Sequence, residues 1–471
     1  MPHVRAQYLM GFAIAALWGT TALSAAERPN VLFIAVDDLR PEIGCYGAEV
    51  MQTPNLDRLA ERSVIFTKAY CNVPVCGASR ASLMTGLRPT PKRFRSYLTR
   101  ADKDAPDVPT LAEHFRNNGY RTATLGKIFH HADDSPESWT HRWWPEVAER
   151  YALEKSRQID KSKSARRSRG AAYESAEVAD DFYKDGKIAI RAVEGLGEFS
   201  DKPEPFFFAV GFYKPHLPFV APQKYWETYR EADNSPQDYF VPKNAPKVAI
   251  HSFGELRAYA GIPLKGPVSS DMADKLVQGY RACVGYTDRN VGVLLDELDR
   301  LNLSENTIIV LWGDHGWNLG EHTLWCKHSC FETSMRVPLY FSAPMSEGVQ
   351  SNTKSESIAE FVDIYPTLCD LAELPKPNHL QGTTLLPTLR DPDATVKDYA
   401  VGRYPRGETV TDGRYRFTSY RDKKGREIAN MLYDHRTDPG ENLNVAKRPE
   451  NSEVVKQLRD VIDETLAGID P

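Results

Sequence analysis

Two apolar runs in the chain end in acids. Residues 30–36 run into Asp37-Asp38, and residues 307–312 run through Gly313 into Asp314-His315. Short runs rich in β-branched side chains suit strands buried on both faces of a parallel sheet. Ligands of open α/β sheets collect at the carboxyl ends of such strands. Asp37, Asp38 and Asp314 are therefore a candidate oxygen-rich site for a hard divalent cation, with His315 as a further ligand. Each acid alone better suits a helix cap or a turn. The repetition of the pattern at two strand ends favours a site.

The segment Cys76-Gly77-Ala78-Ser79-Arg80-Ala81-Ser82-Leu83-Met84-Thr85-Gly86 is the second candidate. Small residues after Cys76 lead into helix-compatible sequence, so Cys76 is expected at a helix N-terminus with Arg80 one turn on, on the same face. Backbone N–H groups and the positive end of the helix dipole favour an anion there. A structural cysteine bridged to Cys71 is the alternative, and spacing alone does not separate the two.

Elements that would position these groups follow from the same patterns. Residues 120–125 and 206–212 are further expected strands, and helices are expected over 55–63, 110–118 and 274–301. Strands alternating with helices predict an α/β domain. Residues 155–169, rich in Ser, Lys and Arg without apolar periodicity, are expected as a solvated surface loop rather than a polysaccharide-binding arm. A boundary is expected within 374–392. After it, strands over 399–404, 415–420 and 431–433 and a helix over 453–466 predict a small antiparallel α+β domain. The expected organisation is a leader at 1–26, a catalytic domain at 27–395 and a C-terminal subdomain at 396–471.

The leader carries His3 and Arg5, an apolar stretch from Tyr8 to Leu23, and Ser24-Ala25-Ala26 before Glu27. These are the marks of a cleavable secretory signal, which predicts a periplasmic or secreted enzyme with no membrane span after cleavage. The 471 residues are 41% hydrophobic and 26% charged, which excludes disordered, collagenous and small disulfide-framework classes. Lys+Arg at 59 against Asp+Glu at 64 leaves no general basic field for nucleic acid or an anionic membrane, so any anion site must be local. The seven cysteines are odd in number and form no CxxC pair.

Cys76-x-Ala78-Ser79-Arg80 followed by Leu83-x-Thr85-Gly86 resembles the signature of the type I sulfatases, of the alkaline-phosphatase-like superfamily, in which the Cys is oxidised to formylglycine. The family more often has Pro where this chain has Ala78. The resemblance continues through Asp37-Asp38-Leu39-Arg40, Gly126-Lys127-Ile128-Phe129-His130, Lys214-Pro215-His216 and the segment from Gly313 to His322. Residues 126–130, 210–219 and 314–327 resemble the iduronate-2-sulfatase branch in detail.

The resemblance implies a large mixed sheet flanked by helices, with a smaller C-terminal α+β domain. It also implies one calcium ion per chain at Asp37, Asp38, Cys76, Asp314 and His315, and maturation of Cys76 by a formylglycine-generating enzyme. Hydrated formylglycine would attack sulfur, with Asp314 accepting its proton. Arg80, Lys127 and Lys327 would surround the sulfate, His130 would orient the nucleophile, and His216 would protonate the departing oxygen with help from Lys327. The implied activity is hydrolysis of a sulfuric ester, a 2-O-sulfate on a terminal uronate of a sulfated carbohydrate. Trp317, His322 and Trp325, with Arg403 and Arg406, are candidates for recognising the sugar and its carboxylate, packing being their alternative. Three other functions remain open: a sulfatase of another carbohydrate specificity, a phosphonate or phosphodiester hydrolase of the same superfamily, and a catalytically silent polysaccharide-binding protein. If Cys76 is consumed, six cysteines remain for disulfides, with Cys326 and Cys330 as candidates.

Overall fold

The structure, a computed structural model, describes residues 28–162, 169–344 and 348–469, so the expected leader lies outside the described residues. Asn30–Val36, Phe206–Phe212 and Thr307–Gly313 are strands in which every residue is buried. That double burial is why they read as continuous rather than alternating apolar runs. They form the centre of a nine-stranded sheet. Asn30–Val36 pairs in parallel with Phe206–Phe212 on one side and Thr307–Gly313 on the other. Arg121–Gly126 and His141–Trp143 extend one flank, also in parallel. On the other flank, Leu339–Ser342 runs antiparallel between Thr307–Gly313 and Val64–Tyr70, and Thr353–Glu360 joins Val64–Tyr70 in parallel. The fold is the expected α/β architecture on a large mixed sheet.

The period of two along each strand divides the core. Leu32, Ile34 and Val36 face one side, where they pack with Leu56 of the helix Pro54–Ala60, Ile188 of Lys184–Ser200 and Tyr280 of the long helix Ser270–Arg300. Val31, Phe33 and Ala35 face the other, with Leu83 of Cys76–Thr85, Phe115 of Leu111–Asn117 and Leu368 of Ile364–Leu371. Phe33 has its ring centroid 5.6 Å from that of Phe207 and 5.5 Å from that of Trp312. Truncating it to Ala would cost about 3–5 kcal/mol by opening a cavity in this cluster.

The C-terminal unit is a four-stranded antiparallel sheet of Ala400–Tyr404, Gly407–Thr411, Tyr415–Arg421 and Glu427–Asp434. The helix Ser452–Ala467 covers it through Val455, Leu458 and Ile462, packed on Val410, Phe417 and Leu432. Gly407–Thr411 was not expected, because Pro405-Arg406, which joins it to the preceding strand, lacks the Asn-Gly type of hairpin signal. Glu360 at the end of its strand accepts bonds from Val401 N (2.8 Å) and Asn72 Nδ2 (3.0 Å) and pairs with Arg88 and Lys397, tying the small sheet to the large one.

Two expectations need correction. Part of the expected surface loop is the helix Glu154–Lys161, whose polar composition hid it; residues 163–168 lie outside the described residues. All seven cysteines are free, so neither Cys71 with Cys76 nor Cys326 with Cys330 is bridged. Among the described residues no helix is long and apolar enough to cross a membrane.

Candidate active site

Register brings the acidic strand ends together. Val36 lies opposite Gly313, so the chain leaves both strands side by side. Asp314 N donates to Val36 O (3.1 Å), Asp38 N donates to Asp314 Oδ1 (2.9 Å), and Asp37 N donates to Phe212 O (3.2 Å). Gly313 permits this approach, since a Cβ there would lie 2.2 Å from Leu39 O. Asp38 adopts the left-handed region, φ 63°, a costly conformation that short polar side chains tolerate. All three carboxylates are fully buried.

Cations reach the acids from three other elements. Gly126, at φ 78°, turns the chain so that Lys127 N donates to Gly211 O (2.9 Å) and Lys127 Nζ pairs with Asp37. Cys76 is the first residue of its helix, all ten residues of which are buried. Small residues allow that depth: a Cβ at Gly77 would lie 2.4 Å from Tyr97 O. One turn on, Arg80 Nε donates to Asp314 Oδ2 (2.9 Å), Nη2 to Asp37 Oδ1 (3.3 Å), and Nη1 to Ile128 O (3.0 Å) and Lys127 O. Lys327 follows the short strand Trp325–Cys326, and its Nζ lies 3.1 Å from Asp38 Oδ1 and 2.9 Å from Glu255 Oε2.

Glu255, in the short helix Gly254–Arg257, is a participant that sequence reasoning missed. Its Oε1 lies 3.0 Å from both His216 Nε2 and Arg169 Nη1, so it links the imidazole, the Arg169 guanidinium and the Lys327 ammonium. No motif surrounds it, and only the fold brings it here. Lys214, in the motif that carries His216, is a second such participant: its Nζ donates to His216 O (2.6 Å) and Pro218 O (2.7 Å) and so braces the His216 turn.

The charges shift one another strongly. Burial pushes the Asp38 carboxyl up to about 7; Lys327 pulls it back, while Asp37 and Asp314 add repulsion. Asp37, although burial opposes it, is held well below the carboxylate range by Lys127, His216 and Arg80. Burial and Asp37 raise the Cys76 thiol, so unmodified it is a protonated, weak nucleophile. Burial and Lys127 lower His130 to about 3. Burial and Lys327 also lower His216, with Glu255 opposing.

The donor set fits a hard cation. Asp37, Asp38, Cys76 and His216 have ligand atoms within 4.8 Å of one another, as do Cys76, Asp314 and His315. His315 Nδ1 donates to Gly316 O (3.0 Å), which leaves the Nε2 lone pair facing Cys76 Sγ at 3.1 Å. Four carboxylates, Glu255 included, face four fixed cations, Arg80, Lys127, Lys327 and, through Glu255, Arg169. A divalent cation among the three aspartates would make the cluster positive, which suits an anionic sulfate ester.

A cavity of about 930 Å³ opens over this cluster, and Asp37, Cys76, Lys127, His130, His216 and Lys327 line it. Asp38, Arg80, Asp314 and His315 lie behind that wall, fully buried. Arg80 therefore braces the acids and the Lys127 loop. Trp317, His322 and Trp325 do not reach the cavity. Each is only 1% exposed. Trp317 instead supports Lys327, whose Nζ is 4.9 Å from its ring, and His322 Nε2 bonds Gly440 O (2.7 Å). Trp325 packs against Tyr239. Apolar contact outweighed exposure for all three, as their sequence neighbours did not reveal. Arg403 is likewise committed, paired with Glu408 at 2.9 Å, while its neighbour Tyr404 lines the cavity.

A family model described as Sulfatase matches residues 29–374, and one described as N-sulphoglucosamine sulphohydrolase, C-terminal, matches residues 320–467. The chain is 33% identical to iduronate 2-sulfatase of Homo sapiens, across 76% of this chain and 71% of that one. It is 31% identical to a sulfatase of Formosa agariphila, across 94% and 88%. Among solved structures it superposes on a 2-O GAG sulfatase with TM-score 0.72 at 25% identity, over 94% of this chain and 92% of that one. It superposes on the phosphonate monoester hydrolase of Agrobacterium radiobacter with TM-score 0.72 at 22% identity, over 93% and 96%, a likeness of fold. The chain belongs to the type I sulfatase family and lies close to iduronate 2-sulfatase within it.

Proposed function

We propose that this sulfatase removes a 2-O-sulfate from a terminal uronate of a sulfated carbohydrate, with formylglycine at position 76 and calcium held by Asp37, Asp38, Asp314 and His315. The observation that carries the reading is the convergence of the helix-starting Cys76 with Lys127 and Lys327 over the buried acids. Uronate specificity draws its support from the iduronate 2-sulfatase relatives.

Bound calcium would supply Lewis acidity toward a sulfate oxygen and the hydroxyl at 76. Formylglycine would supply the oxygen nucleophile that a buried thiol does not. The remaining work falls to the chain itself. Lys127, Lys327 and the backbone N–H groups of the helix's first turn offset charge that builds on the sulfate oxygens. Asp314, with a carboxylate oxygen within 4.8 Å of Cys76 Sγ, accepts the proton released at position 76. His216 is aimed by its bonds to Leu217 O (2.6 Å) and Glu255, and it protonates the departing sugar oxygen. The leader at 1–26 would deliver the enzyme to the periplasm or beyond, after maturation by a formylglycine-generating enzyme.

Initial rates on a 2-sulfated uronate, a 6-sulfated hexosamine and a phosphodiester test the assignment, the first being the expected preferred substrate. Equal turnover of the hexosamine ester would refute uronate specificity. Preference for the phosphodiester would make the site a phosphoryl-transfer centre instead.

A further inference from the structure

A groove of about 1110 Å³ opens beside the catalytic cavity, and Arg95, Ser96 and Tyr404 belong to the walls of both. The groove is thus a continuation of the cavity. It runs between the loop at 91–99, after the Cys76 helix, and the 403–406 and 421–425 turns of the C-terminal sheet.

Two of the three acids in its walls are neutralised by pairing, and the third is hydrogen-bonded to backbone. Glu408 pairs with Arg403 (2.9 Å), Asp422 pairs with Arg426 (2.7 Å), and Asp104 accepts from Phe94 N (3.1 Å). Most of its cations are not paired. Arg421 is paired with Asp463, but Lys92, Arg95, Arg406 and Lys423 have no carboxylate within ion-pair distance among the described residues. On a chain whose net charge is -5, four cations outside ion pairs against one unpaired acid, Asp104, give this groove a local positive field. At the lip between groove and cavity, Tyr97 and Leu98 are 56% and 63% exposed, Tyr97 toward the cavity and Leu98 toward the groove. Exposed apolar surface beside free cations suits a pyranose chain, whose C–H faces alternate with anionic substituents.

We infer that this groove binds the continuation of an anionic polysaccharide, so that the sulfated residue in the cavity is presented by a chain too long for the cavity alone. The inference rests on the reading of the cavity as a sulfated-carbohydrate site. Charge complementarity and the shared walls select the substrate's own chain as occupant. An acidic protein would need no continuity with the cavity.

Fluorescence anisotropy of the full chain with a labelled heparin-derived octasaccharide, against the matching disaccharide, tests it. The triple variant Lys92→Glu/Arg406→Glu/Lys423→Glu should bind the octasaccharide about tenfold or more weaker, with a much smaller change for the disaccharide. A charge-matched control on other exposed positions, Lys155→Glu/Lys202→Glu/Lys265→Glu, should stay within about twofold of the parent. Alanine at the three groove positions, expected to show the same trend more weakly, serves if charge reversal disturbs folding. Equal weakening by the control, no weakening by the groove variants, or no preference of the parent for the octasaccharide would each overturn the inference. Turnover of a small aryl sulfate by the parent reports separately on the sulfatase reading.

Discussion

Replacing Glu255 by Gln isolates what one buried carboxylate does for the leaving-group side of the site. Glu255 holds His216 Nε2 at 3.0 Å and Lys327 Nζ at 2.9 Å, and its side chain is only 11% exposed, so solvent screens it little. Gln keeps the shape and loses the charge. Charge-assisted hydrogen bonds contribute about 1.5–3 kcal/mol each, and Gln retains part of both. A net loss of about 2 kcal/mol is expected, or roughly thirtyfold in kcat/KM on a sugar sulfate, whose departing alkoxide needs a proton. On 4-nitrophenyl sulfate, whose phenolate leaves unaided, the loss should be about threefold or less, because only the share carried by Lys327 at the sulfate remains. Adding Glu255→Gln to His216→Ala should cost no more than the roughly threefold carried by Lys327, since the rest of the Glu255 effect acts through the imidazole already removed. The assay is sulfate release from both substrates by the parent, both single variants and the double. Equal losses on the two substrates, or additive effects in the double, would refute the positioning role.

The junction of the two sheets and the acid cluster give further predictions. Glu360→Gln leaves Arg88 without its buried partner and Lys397 with Asp363 alone, and should lower unfolding stability by about 3 kcal/mol in urea titrations at neutral pH. Despite burial, those two cations hold the Glu360 carboxyl far below its ordinary range. Its stabilisation is therefore complete above the unfolded-state value near 4.3 and drains away as pH falls below it, so between about pH 5 and pH 3 the parent should lose more stability than the variant. Calcium should raise the melting temperature of chelator-treated enzyme, by about 2.7 kcal/mol of stability at a hundred times its Kd, and Asp38→Asn should blunt the effect. Melting curves indifferent to calcium would contradict the metal assignment.

Strand ends, the Cys76 helix and the long helix at 270–300 were legible because each depends on local pattern: doubly buried strands read as apolar runs, and small residues mark close packing. The meeting of Asp37 with Asp314 was foreseeable because parallel register fixes where neighbouring strands end. Glu255 was not, since nothing within four residues of it signals that its short helix closes over His216 and Lys327. Trp317 and Trp325 misled for the converse reason: aromatic residues beside a site serve sugar stacking and core packing alike, and only burial decides between them. Arg80 showed the same limit. Its place one turn beyond Cys76 was right, but only the structure shows its donors spent on Asp37, Asp314 and two carbonyls behind the cavity wall.

Cys76 bears the central claim, and mass spectrometry of the tryptic peptide 69–80 from enzyme made in its native host tests it most directly. The expected product carries an aldehyde or its hydrate at position 76, captured by a hydrazide probe, in a preparation that releases sulfate from a sulfated sugar. A preparation equally active with an intact Cys76 thiol would contradict it.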